Sequence, residues 1–314
     1  MNSHNFQLSH HNFGLTTLPH YGNSCGVSAV FTALGALGFE SDDKLIKMML
    51  HWVTNNIRHN YEFGIAMMKK FYLTDSGKVR DHNEDSVTIL KNANDEYLLI
   101  VADGMGGHRA GEVASSMVVN HFGQKFSSLT TIGSKIDAIN WLKDNITEIN
   151  TKIIDHTKTN PDSLGMGTTT VLALVTKDYL LFGNIGDSSG FVYKNGKLIK
   201  ATKDHTLVNL LVAAGDLTEE EAKYHPKRNV LMKALGSSEV AELDIFDVDT
   251  NIDGILLCSD GLTTMLTKEQ IEKVLNDKDL EIEEKIIKLI RKSNARGGTD
   301  NISIAYLVME SGEE

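Results

Sequence analysis

The sequence predicts an α+β fold built in layers, with β-sheets that are largely antiparallel. Strand signals occur in hairpin-like runs and helix signals fall in separate blocks, which favours an α+β fold over a doubly wound parallel sheet. The Asn195-Gly196 pair lies between two strand-like segments and is typical of a type I′ hairpin turn. The chain contains neither an internal repeat nor a low-complexity tract.

Size, charge and cysteine content limit the classes of protein to consider. The 314 residues suffice for one large core, or for one core with a small appendage. The net charge of -11 argues against a sequence-independent grip on nucleic-acid phosphates. Two cysteines, Cys25 and Cys258, are too few for a disulfide framework and indicate a reducing compartment. The longest apolar stretch, 29–39, is too short to span a bilayer, so we expect a cytoplasmic protein without membrane insertion.

The chain divides near Met67 and Met68 into two parts. Residues 1–67 are expected to be an N-terminal extension of unknown role, either an upstream start or a helical or disordered segment. One helix is predicted within it, over about residues 41–56. Residues 68–310 are expected to form one domain, because a regular series of strand and helix signals begins there and continues to its end.

The first elements of this domain are three predicted strands, over residues 71–77, 86–90 and 96–103. Two amphipathic helices follow, over about residues 112–126 and 139–153, because apolar side chains recur there at helical spacing.

The second half of the domain is rich in strands. Strands are predicted over residues 168–177, 178–187, 190–202 (as a hairpin), 241–249, 254–260 and 301–309. Residues 203–236 are mixed, with short helices over 207–215 and 218–224. A longer helix is predicted from about Lys268 to Ser293, with Gly297-Gly298 as its stop signal.

Five aspartates lie at the ends of predicted strands or in the turns beside them: Asp85, Asp103, Asp187, Asp260 and Asp300. One aspartate in such a place is an ordinary turn or cap residue. Here several have glycine neighbours, which indicates a backbone held close to something small. Carboxylates from separate strand ends suit Mg²⁺ or Mn²⁺ better than Zn²⁺, for which cysteine and histidine ligands are expected.

Arg80 lies just before Asn83-Glu84-Asp85 in the sequence. Its guanidinium is suited to holding a phosphate in a two-pronged grip. The alternative is a surface ion pair with Asp81 or Glu84, which spacing alone leaves equally open. No dinucleotide fingerprint, P-loop or kinase catalytic loop occurs, and DHNED lacks the glycine and distal glutamate of an EF-hand.

Eight motifs, taken in order, resemble those of the metal-dependent serine/threonine protein phosphatases, the PPM or type 2C family, and most closely its bacterial branch. These motifs are RDHNEDS from Arg80, VADGMGGHRAGEVAS from Val101, GMGTTTVLALV from Gly165, GNIGDSSG from Gly183, KDHTLVNLLVAAG from Lys203, HPKRNVLMKALG from His225, LLCSDGL from Leu256 and GGTDNIS from Gly297. The resemblance covers about residues 69–308 and implies an α-β-β-α sandwich, in which two packed, mostly antiparallel sheets are flanked by helices.

The resemblance also implies a centre with two Mn²⁺ or Mg²⁺ ions and a third, weaker site. Asp103 would bridge the two ions, and Gly104 would offer its carbonyl oxygen. The remaining implied roles are as follows: Asp260 and Asp300 complete one ion's shell, Glu84 and Asp85 support the other, Asp187 with Asp260 matches the third site, and Arg80 binds phosphate. Residues 203–235 would match the flap beside the active site, where substrates are chosen.

Two positions depart from the family pattern. Ser189 follows the GDS motif where many members have arginine, from which we expect a local change in packing rather than a loss of activity. Met105 stands where eukaryotic members have a histidine that acts as a general acid. The general acid is therefore not identified by the sequence, and His108 is a candidate.

The implied function is hydrolysis of phosphoserine and phosphothreonine in proteins by in-line attack of a metal-bridging water. The implied partners are phosphorylated proteins, including a cognate bacterial Ser/Thr kinase and its substrates, and we expect a monomer. Two alternatives stay open. One is a non-catalytic, phosphate-sensing module on the same fold, and the other is a regulatory phosphatase dedicated to one partner.

Overall fold

The computed structural model describes residues 68–107 and 109–309 of the chain. Within these residues the strands form two antiparallel sheets. The first sheet has the spatial order β1 (Lys69–Asp75), β11 (Ile302–Val308), β10 (Gly254–Cys258), β7 (Ser189–Lys194) and β8 (Lys197–Lys200). The second has the order β2 (Asp85–Lys91), β3 (Tyr97–Met105), β5 (Thr170–Val175), β6 (Leu180–Ile185) and β9 (Asp244–Val248), with the short β4 (Gly167–Thr168) paired to the end of β3.

Helices cover the outer faces of both sheets. Two long helices, α1 (Ala110–Ser127) and α2 (Lys135–Thr159), pack on the second sheet. Three helices, α5 (Asp260–Met265), α6 (Lys268–Leu275) and α7 (Ile282–Ala295), pack on the first. Two short helices, α3 (Leu207–Ala214) and α4 (Glu219–Tyr224), lie in the long connection between β8 and β9. The layer order is thus helix, sheet, sheet, helix, as predicted.

The sequence of β3 shows how the layers determine composition. Leu98 and Ile100 belong to the core under α1 and α2, whereas Leu99 and Val101 belong to the core between the sheets. Successive side chains of a strand point to opposite faces, so a strand buried on both faces needs apolar residues at every position. The continuous run YLLIVA satisfies this requirement, and its residues are almost wholly removed from water.

Local signals set the ends of several elements. Ser134 caps α2 in a reciprocal capping box with Asp137, which satisfies amide groups that the first helical turn leaves unpaired. Asn195 and Gly196 have φ values of 51° and 75°, as a type I′ turn requires, and they join β7 to β8. The predicted hairpin is therefore present.

The predicted long helix from Lys268 to Ser293 is wrong as a single element. It divides into α6 and α7, because the chain turns through Asn276 to Glu281 between them. The Asp277 carboxylate accepts the Asp279 amide inside this turn, and Glu281 opens α7 through a capping box with Glu284. These polar side chains offer the backbone alternatives to a continuous helical ladder.

Three further differences concern short elements or the limits of the described chain. The strand predicted over residues 168–177 is interrupted at Thr169, whose amide donates to the Asp103 carbonyl (2.8 Å). Helix α5 had no counterpart among the predicted elements. The helix predicted over residues 41–56 and the N-terminal extension lie outside the described residues. Among the helices that the structure describes, none combines the length and apolar character needed to cross a bilayer.

Candidate metal centre

The pairing of β2 with β3 brings the first two carboxylates together. Asp85 lies directly opposite Asp103 in the register of these strands. Residues directly opposite in an antiparallel pair point to the same face, with Cβ atoms about 5 Å apart. The Gly104 amide donates to the Glu84 carbonyl (3.1 Å), which places Glu84 beside this pair.

The pairing of β10 with β11 brings in two more carboxylates. These neighbouring strands are antiparallel, so the end of β10 meets the start of β11. Asp260 follows β10 as the first residue of α5, and Asp300 precedes β11 by two residues. The two aspartates therefore enter the cluster from the first sheet, while Asp85 and Asp103 enter from the second.

The turn between β6 and β7 contributes Asp187, and a further carboxylate, Asp204, lies beside it. Burial raises the pKa of Asp187, and the charge of Asp204 is the next largest cause. Asp204 lies in the KDHT motif, pairs with Lys200 (2.6 Å) and keeps Oδ1 buried without a hydrogen-bond partner. Its place directly after a strand signal and a lysine resembles an ordinary surface turn, which is why the sequence did not single it out.

The clustered carboxylates raise one another's pKa. Burial raises the pKa of Asp103 well above its usual range, and the charges of Asp85 and Asp260 act in the same direction. Burial also raises the pKa of Asp85 to about 6 and that of Asp260 to about 7. The pKa of Glu84 is raised mainly by burial as well. Bringing these anions together is costly unless protons or cations compensate the charge.

The donor chemistry of this cluster fits a hard divalent cation. Glu84 Oε1 and Asp85 Oδ1 are buried without a hydrogen-bond partner among the described residues, so they have acceptor capacity to spare. All candidate ligand atoms are oxygens, as Mg²⁺ and Mn²⁺ prefer. No three acidic, histidine or cysteine side chains in the described part of the chain already converge at ligand distance. The candidate ligands therefore approach one another without forming a closed metal cage in the described part of the chain.

Arg80 lies at the edge of the cluster. Its Nη2 contacts Asp300 Oδ2 at 2.8 Å, and half of its side chain (51%) is exposed. The alternative surface pairing with Asp81 or Glu84 is therefore wrong, because the partner is Asp300, 220 positions further along the chain. The hydrogen bond to Asp300 is the largest of several causes that raise the pKa of Arg80. A half-exposed guanidinium beside buried carboxylates remains accessible to a phosphate from solvent.

Glycines allow the backbone to approach at this site. A Cβ on Gly104 would overlap the Gly111 carbonyl, and a Cβ on Gly111 would lie 2.9 Å from the Glu84 carboxyl carbon. The loop after β3, the start of α1 and Glu84 are thus in direct contact. Gly104 thus allows a close approach of the Gly111 backbone, and the predicted approach of Asp103-Gly104 to something small stays a prediction.

The remaining predicted positions are less informative. Ser188 Oγ lies 2.8 Å from Thr169 Oγ1, and Ser189 is buried opposite Cys258 in the β7–β10 register. The expected effect of Ser189 on packing stays a prediction. His108 lies outside the described residues, so its candidacy as general acid is untested.

The segment 203–235 is attached to the strands that carry the carboxylates. The His205 amide donates to the Gly186 carbonyl (2.8 Å), beside Asp187. At its other end, the Leu235 and Thr168 backbones exchange hydrogen bonds of 2.9 and 3.1 Å. Thr168 Oγ1 in turn donates to the Asp103 carbonyl (2.9 Å). Both ends of the segment are therefore bonded to residues beside the candidate site.

Comparison with known proteins places these features in one family. The sequence profile of the family described as protein phosphatase 2C matches residues 77–296. The serine/threonine phosphatase stp of Listeria welshimeri is 38% identical over 247 residues, which are 77% of this chain and 98% of that protein. The protein phosphatase PhpP of Streptococcus pneumoniae is 34% identical over 241 residues, which are 76% of this chain and 96% of that protein.

Solved structures show the same architecture. The serine/threonine phosphatase Stp1 of Staphylococcus aureus superposes with a TM-score of 0.73 at 35% identity, covering 80% of this chain and 98% of that chain. The phosphatase PstP/Ppp of Mycobacterium tuberculosis gives a TM-score of 0.69 at 35% identity, covering 78% and 99%. The two-sheet fold predicted from the sequence is confirmed by this similarity.

Proposed function

Because this chain belongs to the protein phosphatase 2C family, we propose that it hydrolyses phosphoserine and phosphothreonine in proteins with the aid of bound Mn²⁺ or Mg²⁺. The family predicted from the eight motifs is confirmed by this membership. The observation that carries the proposal is the gathering of carboxylates from both sheets at one place, with the accessible Arg80 at its edge.

The ions would be held by the oxygens that the fold gathers. We propose that Asp103 and the Gly104 carbonyl would hold the ions, together with the side chains of Glu84, Asp85, Asp187, Asp260 and Asp300. When bound, the ions supply Lewis-acid polarisation of the phosphoryl group and lower the pKa of a water molecule. The buried oxygens of Glu84 and Asp85 that lack a hydrogen-bond partner support this assignment.

The chain's own residues have two further tasks. A phosphate monoester is an anion, and a cluster of aspartates repels it unless cations compensate their charge. Arg80 would hold and orient the phosphate through two parallel N–H···O contacts, and Asp300 positions its guanidinium through the 2.8 Å ion pair. Segment 203–235 is hydrogen-bonded near its two ends to Gly186 and to Thr168. The substrate's peptide chain would therefore contact this segment beside the phosphate.

The wider setting is also part of the proposal. We propose that the enzyme acts in the cytoplasm as a monomer and opposes a bacterial Ser/Thr kinase. Light scattering tests the monomer, because one chain has a mass of 34.6 kDa. Residues 68–310 would form the catalytic domain, with 203–235 as its flap.

The proposal is tested by measuring phosphate release from a phosphothreonine peptide by the purified chain. We expect turnover with Mn²⁺ and a loss of turnover in excess EDTA that added Mn²⁺ reverses. Asp103→Ala should be inactive, whereas Asp162→Asn, at an exposed residue of the short 3-10 helix Pro161–Ser163 without a predicted role, should match the unaltered chain. Full turnover of the Asp103→Ala variant, or undiminished turnover in EDTA, would contradict the metal-dependent mechanism. Folded, metal-loaded protein without turnover would favour the phosphate-sensing alternative.

A further inference from the structure

Asn301, the residue after Asp300, uses its whole side chain to hold the loop that precedes β2. Its Oδ1 accepts the Glu84 amide (2.8 Å), and its Nδ2 donates to the carbonyls of Ser76 (3.0 Å) and His82 (2.9 Å). Asn301 is 5% exposed, so these bonds are shielded from water. One carboxamide thus ties both ends of the loop 76–84 to the start of β11.

The main chain of Asn301 contacts other parts of the candidate site. Its amide donates to Asp300 Oδ1 (2.9 Å), which orients that carboxylate. Its carbonyl oxygen lies so close to Gly261 that a Cβ there would overlap it, and Gly261 adjoins Asp260. A single residue therefore contacts Asp300, Glu84 and the neighbour of Asp260.

The loop that Asn301 holds carries Arg80 in its exposed middle. Apart from Asn301, the exposed part of this loop is held by Lys78 N–H to the Gly298 carbonyl (2.8 Å), Asn83 Nδ2 to Thr74 Oγ1 (2.8 Å) and the Arg80–Asp300 pair itself. At the end of the loop, the Glu84 carbonyl also accepts from the Gly104 amide (3.1 Å) and from Ser115 Oγ (2.6 Å). Residues 78–82 are exposed, so core packing does not determine where Arg80 lies. The carboxamide of Asn301 is the buried group that bonds both ends of this loop, through Ser76 and through His82 and Glu84.

We infer that Asn301 is a positioning residue that sets Arg80 relative to the aspartate cluster. This inference rests on the proposed function, because Arg80 matters only if a phosphate binds there. Loss of the Asn301 carboxamide should displace the Arg80 guanidinium while the two sheets stay packed. Misplacement by about 1 Å is enough to lower a rate about 100-fold.

Asn150 offers a matched comparison for a purely structural role. It is 1% exposed, its Nδ2 donates to the carbonyls of Ser238 (2.9 Å) and Glu239 (3.3 Å), and its Oδ1 accepts the Gly236 amide (2.7 Å). Asn150 therefore makes the same three kinds of bond as Asn301, but to a loop that carries none of the proposed ligands. Asn301→Ala and Asn150→Ala remove equivalent bonds.

The first test is a double-mutant cycle with Arg80→Ala, read as kcat/KM on the phosphothreonine peptide. We expect Asn301→Ala to lower kcat/KM about 100-fold when Arg80 is present. The loss should be at least about tenfold smaller in the Arg80→Ala background, because coupled residues are not additive. Asn150→Ala should cost the same small factor in both backgrounds. Equal losses from Asn301→Ala with and without Arg80 would overturn the inference.

The second test does not depend on activity. Hydrogen exchange of the peptide 77–82 should accelerate in Asn301→Ala, because the Lys78 amide is bonded to Gly298 and is released only if the whole loop loosens. Asn150→Ala should leave this peptide unchanged. Unchanged exchange in Asn301→Ala overturns the inference, whether or not the unaltered chain shows turnover. Absence of turnover in the unaltered chain, together with faster exchange of the peptide 77–82 in Asn301→Ala, would count against the proposed function alone.

A second variant covers the case in which Asn301→Ala does not fold. Asn301→Asp keeps an acceptor for the Glu84 amide and replaces the two donated bonds with an oxygen that faces the Ser76 and His82 carbonyls. Because the added charge also acts on the nearby carboxylates, this variant is read by hydrogen exchange, and its peptide 77–82 should exchange faster than that of the unaltered chain. Failure of both variants to melt cooperatively would overturn the inference, because the bonds would then hold the core rather than the loop.

Discussion

At the scale of single residues, we expect the Asp103 carboxylate to be required for activity and to lower the free energy of unfolding of the metal-free chain. Burial and the neighbouring carboxylates raise its pKa, so its ionised form is unfavourable in the metal-free chain. We predict that Asp103→Asn lowers kcat/KM by more than about 100-fold, because disturbing the surroundings of a ligand already costs up to that factor. The same variant should melt at a higher temperature than the unaltered chain when both are in EDTA.

This prediction requires both an activity assay and a thermal melt on the same samples. Asp162→Asn serves as the control, since it removes an exposed carboxylate far from any proposed ligand in the sequence. It should change neither quantity measurably. An Asp103→Asn variant that melts below the unaltered chain in EDTA would show that the cluster is not a source of repulsion.

The same carboxylates predict an unusual pH dependence. In the folded, metal-free chain the pKa of Asp260 is about 7 and that of Asp85 about 6, both raised by burial. Aspartates of an unfolded chain have a pKa of about 3.9. Between these values the folded state binds more protons, so the free energy of unfolding falls as the pH rises.

We therefore predict that the melting temperature in EDTA decreases from pH 5.5 to pH 8. The decrease should be smaller in Asp260→Asn, which lacks one of the titrating groups. Salt-bridged carboxylates such as Glu148, with a pKa of about 2, titrate below this range and do not contribute. Differential scanning calorimetry in EDTA provides the measurement. A melting temperature that is equal or higher at pH 8 would contradict the prediction.

At the scale of elements, helix α1 contains two glycines with opposite requirements. Gly111 lies at its start, where a Cβ would come within 2.9 Å of the Glu84 carboxyl carbon and 2.7 Å of the Gly104 carbonyl carbon. Gly123 lies within the same helix, where a Cβ would meet nothing within 4 Å. Substitutions at these two positions therefore distinguish the effect of a steric clash from the effect of helix propensity.

We predict that Gly111→Ala lowers the free energy of unfolding by about 1–3 kcal/mol, because the added methyl overpacks the contact between α1 and β3. It should also reduce turnover by displacing Glu84. Gly123→Ala should instead raise the free energy of unfolding by about 0.5–1 kcal/mol, because alanine is the better helix former. Urea unfolding of both variants provides the measurement. A neutral Gly111→Ala would show that α1 can move without cost.

The elements also show where sequence patterns are reliable. Strands β3, β5 and β6 and helices α1 and α2 were predicted because long apolar runs or helical periodicity leave few alternatives. The division between α6 and α7 was missed, because the apolar periodicity of the two helices reads as one when the turn between them is polar and short. The local hydrogen bonds of Asp277 and Glu281 favour a turn between the two helices over one continuous helix. Each such bond contributes only about 1 kcal/mol to that preference.

At the scale of the whole molecule, we predict that the domain beginning at Met68 is sufficient. A chain beginning at Met68 should melt cooperatively and retain Mn²⁺-dependent turnover within about twofold of the full chain, since every proposed ligand and the three apolar cores lie within residues 68–309. Turnover and calorimetry of both chains provide the measurement. Failure of the shorter chain to fold would contradict the boundary, and much faster turnover would assign an inhibitory role to residues 1–67.

The fold class, the family and the order of the candidate ligands can be read from the amino-acid sequence alone. Those follow from local information: apolar periodicity sets the elements, and eight motifs in series are too specific to recur by chance. Which carboxylates meet follows from the tertiary structure, because the register of β2 with β3 sets Asp85 opposite Asp103 and the pairing of β10 with β11 brings the end of one strand to the start of the other. The tertiary structure also decided that Arg80 pairs with Asp300, that Asp204 adjoins Asp187 and that Asn301 holds the Arg80 loop. Such contacts depend on sheet register and chain crossing, which no local sequence pattern contains.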